Sequence, residues 1–160
     1  MQNLITWHVG VDGGGTSCRV AVLGAGHERW VATGGPANVT SDFSGAVRTI
    51  ADLIDGLLPA EGAEGKARLL MHLGLAGVTG PAMAKRVEAA LLARYPGGQV
   101  RASGDQVTMT VGALGAHDGG LIGIGTGSFV ARQSAGQVQG IGGRGLILGD
   151  QASGGWLGLR

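Results

Sequence analysis

Two glycine-rich segments, each lying between apolar stretches of chain, constrain this sequence more than any other feature. The first reads DGGGT over residues 12–16, and the second reads GIGTGS over residues 123–128. Because glycine has no side chain, backbone N–H groups in such a turn can approach a phosphate closely. One turn of this kind is equally typical of an ordinary hairpin, for which Asp-Gly is the commonest signal. Two of them in 160 residues favour a phosphate clamp built from two hairpins, and the sequence contains no P-loop motif.

The pattern of apolar segments predicts an α/β domain with a mixed sheet flanked by helices. Predicted strands cover residues 5–11, 17–23, 28–34, 69–75, 100–102, 121–124, 129–133 and 137–141. Predicted helices run from Ser41 or Asp42 to Leu58, from Pro81 to just before Pro96, from Gln106 to Ala116 and from Asp150 to Arg160. Three strands therefore precede the first helix, strands and helices then alternate through the third helix, and three more strands precede the last helix.

Two aspartates stand where a carboxylate can be either functional or structural. Asp105 follows a predicted strand, and the C-terminal ends of strands often face a cleft. There it could accept a proton from a sugar hydroxyl as that oxygen attacks phosphorus. It could also be a helix N-cap, which the local sequence by itself favours. Asp150 opens the last predicted helix and is likewise a candidate cap, with small residues after it that permit close packing.

Composition and charge exclude several classes of function. A net charge of +1 predicts no general attraction to nucleic acid or membrane, and no apolar run is long enough to span a bilayer. Residues 1–10 lack the features of a signal peptide, so a cytoplasmic location is expected. Cys18 is the single cysteine and is expected to be a small core residue, and the four histidines are scattered, so no zinc site is predicted. The Gly-x-Gly-x-x-Gly pattern at residues 140–145 lacks the following helix and acidic residue that a dinucleotide site needs.

Five segments in order resemble the BadF/BadG/BcrA/BcrD ATPase family, and within it the N-acetylglucosamine kinases and bacterial glucosamine kinases. They are VGVDGGGT at 9–16, GPAN at 35–38, GLAG at 74–77, GIGTGS at 123–128 and LGDQASGGWLG at 148–158. The resemblance implies a ribonuclease H-like, actin-type ATPase domain of the actin/hexokinase/Hsp70 superfamily. Residues 1–145 would form this N-terminal domain, and residues 146–160 would begin a helix leading to a second domain that this chain lacks.

The same resemblance implies a function, cofactors and residue roles. The function would be ATP-dependent phosphorylation of an amino-sugar hydroxyl, with Mg²⁺ associated with Asp12 and Asp105 as the general base. The nucleotide phosphates would bind to Asp12, Gly13, Gly14, Gly15, Thr16, Gly125, Thr126 and Gly127. The sugar would bind to Asn38, Asp105, Gly127 and Asp150. The partners would be ATP and the amino sugar, and a homodimer is compatible with the resemblance.

The sequence also departs from the pattern of this family. The family usually has tryptophan where this chain has Arg144 and glutamate where it has Gln151, and its members are nearly twice as long. Two alternatives stay open on these grounds. One is an ATPase that activates a radical dehydratase, although such activators hold an iron–sulfur cluster with cysteines and only Cys18 is present. The other is a non-catalytic half-domain that binds a sugar.

Overall fold

A computed structural model of the chain describes residues 5–24, 26–58, 67–143 and 145–159. The strands are β1 (Ile5–Gly13), β2 (Cys18–Leu23), β3 (Arg29–Gly34), β4 (Ala67–Leu75), β5 (Gln99–Ser103), β6 (Gly119–Ile124), β7 (Ser128–Ser134) and β8 (Gln137–Gly142). The helices are α1 (Phe43–Leu57), α2 (Pro81–Arg94), α3 (Asp105–Leu114) and α4 (Gly154–Gly158). The chain divides into two compact units, Met1–Asp105 and Gln106–Arg160. The predicted domain boundary after residue 145 stays a prediction.

The first unit contains a five-stranded mixed sheet in the order β3-β2-β1-β4-β5. The tight turns after β1 and β2 make their pairings antiparallel, whereas α1 and α2 carry the chain back so that β4 and β5 run parallel to β1. The predicted mixed sheet flanked by helices is thus confirmed. Because β1, β4 and β5 are parallel, their C-terminal ends meet at one edge of the sheet.

One face of this sheet is buried by α1 and α2. Ile50 and Ile54 of α1 and Leu91 of α2 are fully buried in the core, together with alternate residues of the strands. Cys18 lies in the same core, as predicted. The opposite face carries the intervening residues of each strand, and Asp12 is exposed there at the end of β1. The period-two alternation of each strand therefore decides which side chains are available for chemistry.

The two helices of this unit begin and end as their sequences predict. Asp42 is the N-cap of α1, and its Oδ1 accepts from the amide of Gly45 at 2.9 Å. The C-terminal end of α2 is joined to α1 by Tyr95, whose hydroxyl donates to Asp55 Oδ1 at 2.7 Å. Arg94 forms an ion pair with the same carboxylate. Burial, followed by the hydrogen bond to Asp55, raises the pKa of Tyr95 well above its ordinary value.

The second unit contains a three-stranded antiparallel sheet in the order β6-β7-β8. The buried side chain of Gln133 donates from Nε2 to the carbonyl oxygens of Gly115 and His117 at 2.7 and 3.0 Å, which fastens β7 to the loop after α3. Gly142 and Gly143 have positive φ values, and the described residues between β8 and Gly154 form turns and bends. Across the described residues, no helix is long and apolar enough to cross a membrane.

The last predicted helix is wrong at its N-terminal end. Asp150 and Ala152 have φ values of +58° and +65°, which a right-handed helix excludes, and α4 begins only at Gly154. Its N-cap is Ser153, whose hydroxyl accepts from the amide of Trp156 at 3.1 Å. The prediction that Asp150 caps this helix is therefore also wrong. Arg160, the predicted end of the helix, lies outside the described residues.

Candidate functional site

The first glycine-rich segment forms the tight turn between β1 and β2, at the edge of the sheet where β1 ends. The amide of Gly14 donates to the carbonyl oxygen of Ser17 at 2.8 Å and closes the turn. Asp12, Gly15 and Thr16 are exposed, and among the described residues nothing beyond its chain neighbours lies within 4 Å of a Cβ built on Gly15. The turn thus presents a carboxylate, a hydroxyl and unshielded backbone at one edge.

A second loop, which carries Asn38, is joined to this turn. The amide of Ala37 donates to the carbonyl oxygen of Gly14 at 2.9 Å. The carboxamide oxygen of Asn38 accepts from the amides of Thr40 and Ser41 at 2.9 and 3.2 Å. Because this oxygen is engaged within the loop, the NH₂ group is the part of the side chain that can donate to a ligand.

The turn after β4 fixes the Asn38 loop in place. The amide of Val39 donates to the carbonyl oxygen of Ala76 at 3.1 Å, and the hydroxyl of Thr40 donates to the carbonyl oxygen of Gly77 at 3.2 Å. Gly77 has a φ of +92°, and a Cβ there would lie 2.8 Å from Asn38 Oδ1, so glycine is required on both counts. No role for Gly77 was predicted beyond its place in the matching GLAG segment. The signal for it is a glycine two residues after a buried strand.

A cavity of about 260 Å³ lies between the first glycine-rich turn, the Asn38 loop and the N-terminal end of α1. Its lining residues are Gly15, Pro36, Asn38, Ser41, Asp42, Gly45, Ala46 and Thr49. Glycine backbone and polar side chains therefore surround a space large enough for a small polar group, next to two of the segments predicted to bind ligands.

Asp105 lies at the same edge of the sheet, as the first residue of α3 and one residue after the end of β5 at Ser103. The register pairs Gly13 with Leu75 and Gly74 with Ser103, so β1, β4 and β5 end at neighbouring positions. Asp105 is half-buried, and its carboxylate in the first turn also interacts favourably with the helix dipole. Its predicted role as a general base stays a prediction.

In the second unit, the other glycine-rich segment forms the turn between β6 and β7. The amide of Gly125 donates to the carbonyl oxygen of Gly127 at 2.8 Å within the turn. Two amides at the start of α4 also bind this turn. The amide of Gly154 donates to the carbonyl oxygen of Gly125 at 2.8 Å, and the amide of Gly155 donates to the carbonyl oxygen of Thr126 at 3.2 Å. These bonds leave the hydroxyl of the exposed Thr126 as a donor that a phosphate can reach.

Asp150 packs its carboxylate against this turn. A Cβ built on Gly127 would lie 2.8 Å from Asp150 Oδ2, so only glycine permits this approach. Asp150 is 8% exposed, and its Oδ1 is buried with no hydrogen-bond partner in the described part of the chain. The neighbouring backbone is fixed, because the hydroxyl of Ser128 donates to the carbonyl oxygen of Gln151 at 2.8 Å. Buried polar atoms are almost always paired in native proteins, so this oxygen can accept from a donor that the described part of the chain does not supply.

The structure brings the predicted residues together in two sets. In the first unit, the turn at 12–16, Asn38 and the end of β5 that leads into Asp105 share one edge of the sheet. In the second unit, the turn at 125–127 lies against Asp150. Arg144 lies outside the described residues, and the side chain of Gln151 is exposed.

The fold and these two turns define a class. A mixed sheet whose first two strands are joined by a glycine-rich turn, with helices on one face, is the architecture of an actin-type ATPase domain. A candidate N-acetylglucosamine kinase from Chromobacterium violaceum matches this chain with a TM-score of 0.78 and 27% identity, over 96% of this chain and 54% of its own. One from Porphyromonas gingivalis matches with a TM-score of 0.71 and 22% identity, over 96% and 53%, and shows the same fold.

Within that class, the chain belongs to the BadF/BadG/BcrA/BcrD ATPase family, whose sequence model matches residues 9–160. It is also similar to the glucosamine kinase GspK of Vibrio cholerae serotype O1, with 31% identity over 158 residues. This alignment covers 98% of the chain and 53% of GspK. The chain therefore spans about half the length of the relatives it matches, and the predicted family resemblance is confirmed.

Proposed function

We propose that this chain is the N-terminal half of an ATP-dependent kinase that phosphorylates a hydroxyl group of an amino sugar. Membership of an ATPase family and the similarity to a glucosamine kinase support the class of reaction. Cys18, the cysteine of this chain, is fully buried in the core, so it does not offer a ligand for the iron–sulfur cluster of a dehydratase activator.

The observation that carries the proposal is the buried carboxylate of Asp150 beside the turn at 125–127. A carboxylate oxygen that is buried without a partner is suited to accept a hydrogen bond from a sugar hydroxyl. The backbone of Gly127 would permit a close approach in the same unit, and the NH₂ group of Asn38 in the first unit is a separate candidate donor to a sugar. A site that leaves polar groups unpaired when the wrong sugar binds discriminates strongly between sugars.

ATP and Mg²⁺ fit the residues of the two glycine-rich turns. Gly13 to Thr16 and Gly125 to Gly127 would hold the phosphates through backbone N–H groups and threonine hydroxyls. Asp12 is exposed at the end of β1 and would hold Mg²⁺, which usually binds one or two carboxylates, substrate phosphates and several waters. Bound Mg²⁺ would neutralise charge that develops on the phosphoryl group.

Asp105 would act on the sugar. Its carboxylate accepts the hydroxyl proton while the sugar oxygen forms a bond to the γ-phosphorus and the bond from phosphorus to the ADP oxygen breaks. The half-buried position after β5 keeps the carboxylate at the edge of the sheet shared with the first glycine-rich turn.

The proposal is tested in the full-length form of the kinase, by following ADP release from ATP with glucosamine, N-acetylglucosamine and glucose as acceptors. Asp105→Asn should reduce sugar-dependent turnover by ~10²- to 10⁴-fold while leaving the thermal unfolding midpoint nearly unchanged. Asp52→Asn, on the exposed face of α1, removes the same charge and serves as the matched control. Turnover within a few-fold of wild type in Asp105→Asn would show that Asp105 is a structural residue. Absence of both sugar binding and sugar-dependent ADP release would refute the proposed function.

The same assay decides which amino sugar is preferred. Relative to the usual motif, Arg144 and Gln151 shift the local charge toward positive, which would disfavour protonated glucosamine and favour the neutral N-acetylated sugar. Comparing the two sugars before and after Arg144→Trp tests this idea. An unchanged ratio of the two turnover rates would refute it.

A further inference from the structure

The strand that leads into Asp105 is held on one side only. β5 is at the end of the strand order, so among the described residues only β4 pairs with it. Alternate amides of an edge strand point away from the sheet and have no strand partner. β5 is also only five residues long. Because a strand of this length makes few ladder hydrogen bonds, its C-terminal end is weakly held by the sheet. Other contacts must therefore set the position of the residues just before Asp105.

One such contact comes from α2. The amide of Ala102, the penultimate residue of β5, donates to Oε1 of Glu88 at 3.0 Å in a partly buried environment. A carboxylate that accepts from a backbone amide forms a stronger hydrogen bond than a neutral acceptor does. At the outer side of β5, Glu88 therefore supplies the acceptor that a neighbouring strand would otherwise provide. Its partner, Ala102, is three residues before Asp105.

A second contact comes from the open face of the sheet. The hydroxyl of Ser103, the last residue of β5, lies 3.4 Å from the carbonyl oxygen of Leu73 and 3.3 Å from Nε2 of His72. A carbonyl oxygen can only accept, so the Ser103 hydroxyl donates to Leu73, and in the Nε2-protonated tautomer of His72 it also accepts from that nitrogen. The end of β5 is thus joined to β4 by side chains as well as by the ladder.

We infer that Glu88 and the His72–Ser103 pair are positioning residues that hold the Asp105 carboxylate in place for proton transfer. The inference rests on the proposed function of Asp105. The two contacts act on consecutive residues, Ala102 from the side of α2 and Ser103 from the open face, and only Gly104 separates them from Asp105. Since a misplacement of about 1 Å can lower turnover by ~10²-fold, small movements at this point affect the reaction.

Two pairs of variants separate positioning from charge and bulk. Glu88→Leu and Glu88→Gln both remove the negative charge, but only glutamine keeps an oxygen that can accept from Ala102. Ser103→Ala and Ser103→Thr differ in whether a hydroxyl remains. The chain is labelled with ¹⁵N and ¹³C, and the resonances of Asp105 and the hydrogen exchange of the Ala102 amide are measured by NMR.

In Glu88→Leu the amide of Ala102 should exchange at least about tenfold faster, because a hydrogen bond to a charged group is lost. The backbone and carboxyl resonances of Asp105 should move in Glu88→Leu and in Ser103→Ala. Ser103→Thr should retain wild-type values, and Glu88→Gln should lie between wild type and Glu88→Leu, because glutamine keeps the acceptor oxygen but not its charge. Sugar-dependent kcat should fall about ten- to a hundredfold in the first pair while KM for ATP stays constant, because only the reacting geometry changes.

The outcomes distinguish this inference from the proposed function. Unchanged Asp105 resonances in both Glu88→Leu and Ser103→Ala would overturn the inference, as would equal effects of Glu88→Leu and Glu88→Gln. If Glu88→Leu does not fold, Ser103→Ala and Ser103→Thr decide the question alone. If the kinase of which this chain is the proposed N-terminal half shows no sugar-dependent turnover, the proposed function fails, and the NMR result still decides whether these residues position Asp105.

Discussion

Replacing Asp150 with asparagine should stabilise the protein and weaken sugar binding at the same time. Asp150 is 8% exposed, its Oδ1 has no partner among the described residues, and its φ is +58°. An unsatisfied buried polar group costs about 1–3 kcal/mol, and more when it is charged. Asparagine removes the charge at nearly constant volume and tolerates the left-handed region well. A gain of about 1 kcal/mol in the free energy of unfolding follows.

A gain of this size corresponds to a rise of about 2–4 °C in the unfolding midpoint for a chain of 150–250 residues. Thermal unfolding followed by circular dichroism measures it. Asp52→Asn is the control, because it removes the same charge from an exposed position and should change stability by less than about 0.5 kcal/mol.

Calorimetric titration with glucosamine and N-acetylglucosamine measures the second effect. A hydrogen bond to a charged group contributes roughly 1.5–3 kcal/mol, so the affinity for the sugar should fall about ten- to a hundredfold. Opposite changes in stability and affinity are the expected signature of a residue kept for binding. A loss of stability in Asp150→Asn, with unchanged sugar affinity, would show that the carboxylate is structural and that the reasoning is wrong.

Two further predictions concern single residues of the two units. Gly127→Ala should weaken sugar binding, because its Cβ would lie 2.8 Å from Asp150 Oδ2. Gly125→Ala in the same turn should have little effect on sugar binding, because among the described residues its Cβ meets no atom beyond its chain neighbours within 4 Å. Equal titration results for the two variants would contradict this prediction. Burial, with a smaller contribution from the charge of Asp12, raises the pKa of the Cys18 thiol from 9.0 to about 11. The pKa of the thiol is higher in the folded state than in the unfolded state. The stability that the protonated thiol contributes is therefore complete below pH 9, and about 3 kcal/mol of it is lost as the pH rises through 11. Urea unfolding at pH 8 and pH 11 should therefore show a larger loss for wild type than for Cys18→Ala, and parallel losses would refute the assignment.

Much of the fold could be predicted from the sequence because its signals are local. Alternating apolar residues mark the strands, Asp42 and Pro81 mark the starts of two helices, and the glycine-rich segments mark two turns. Each of these signals depends on residues within a few positions of one another. The segment before α4 was predicted incorrectly for the same reason, since Asp150 is a good local cap but tertiary contacts hold it at a positive φ.

The candidate site depends on contacts between residues that are far apart in the chain. Gly77 holds the loop of Asn38 only because β4 lies beside β1, and Asp150 meets Gly127 only because the backbone at the start of α4 binds the turn between β6 and β7. Glu88 and Ala102 are likewise 14 residues apart and meet across the edge of the sheet. The local sequence pattern determines which residues lie in strands, turns or helix caps, because these conformations depend on residues that are neighbours in the chain. Strand order and packing decide which of them meet, and so whether a carboxylate is a cap, a buried acceptor or a base.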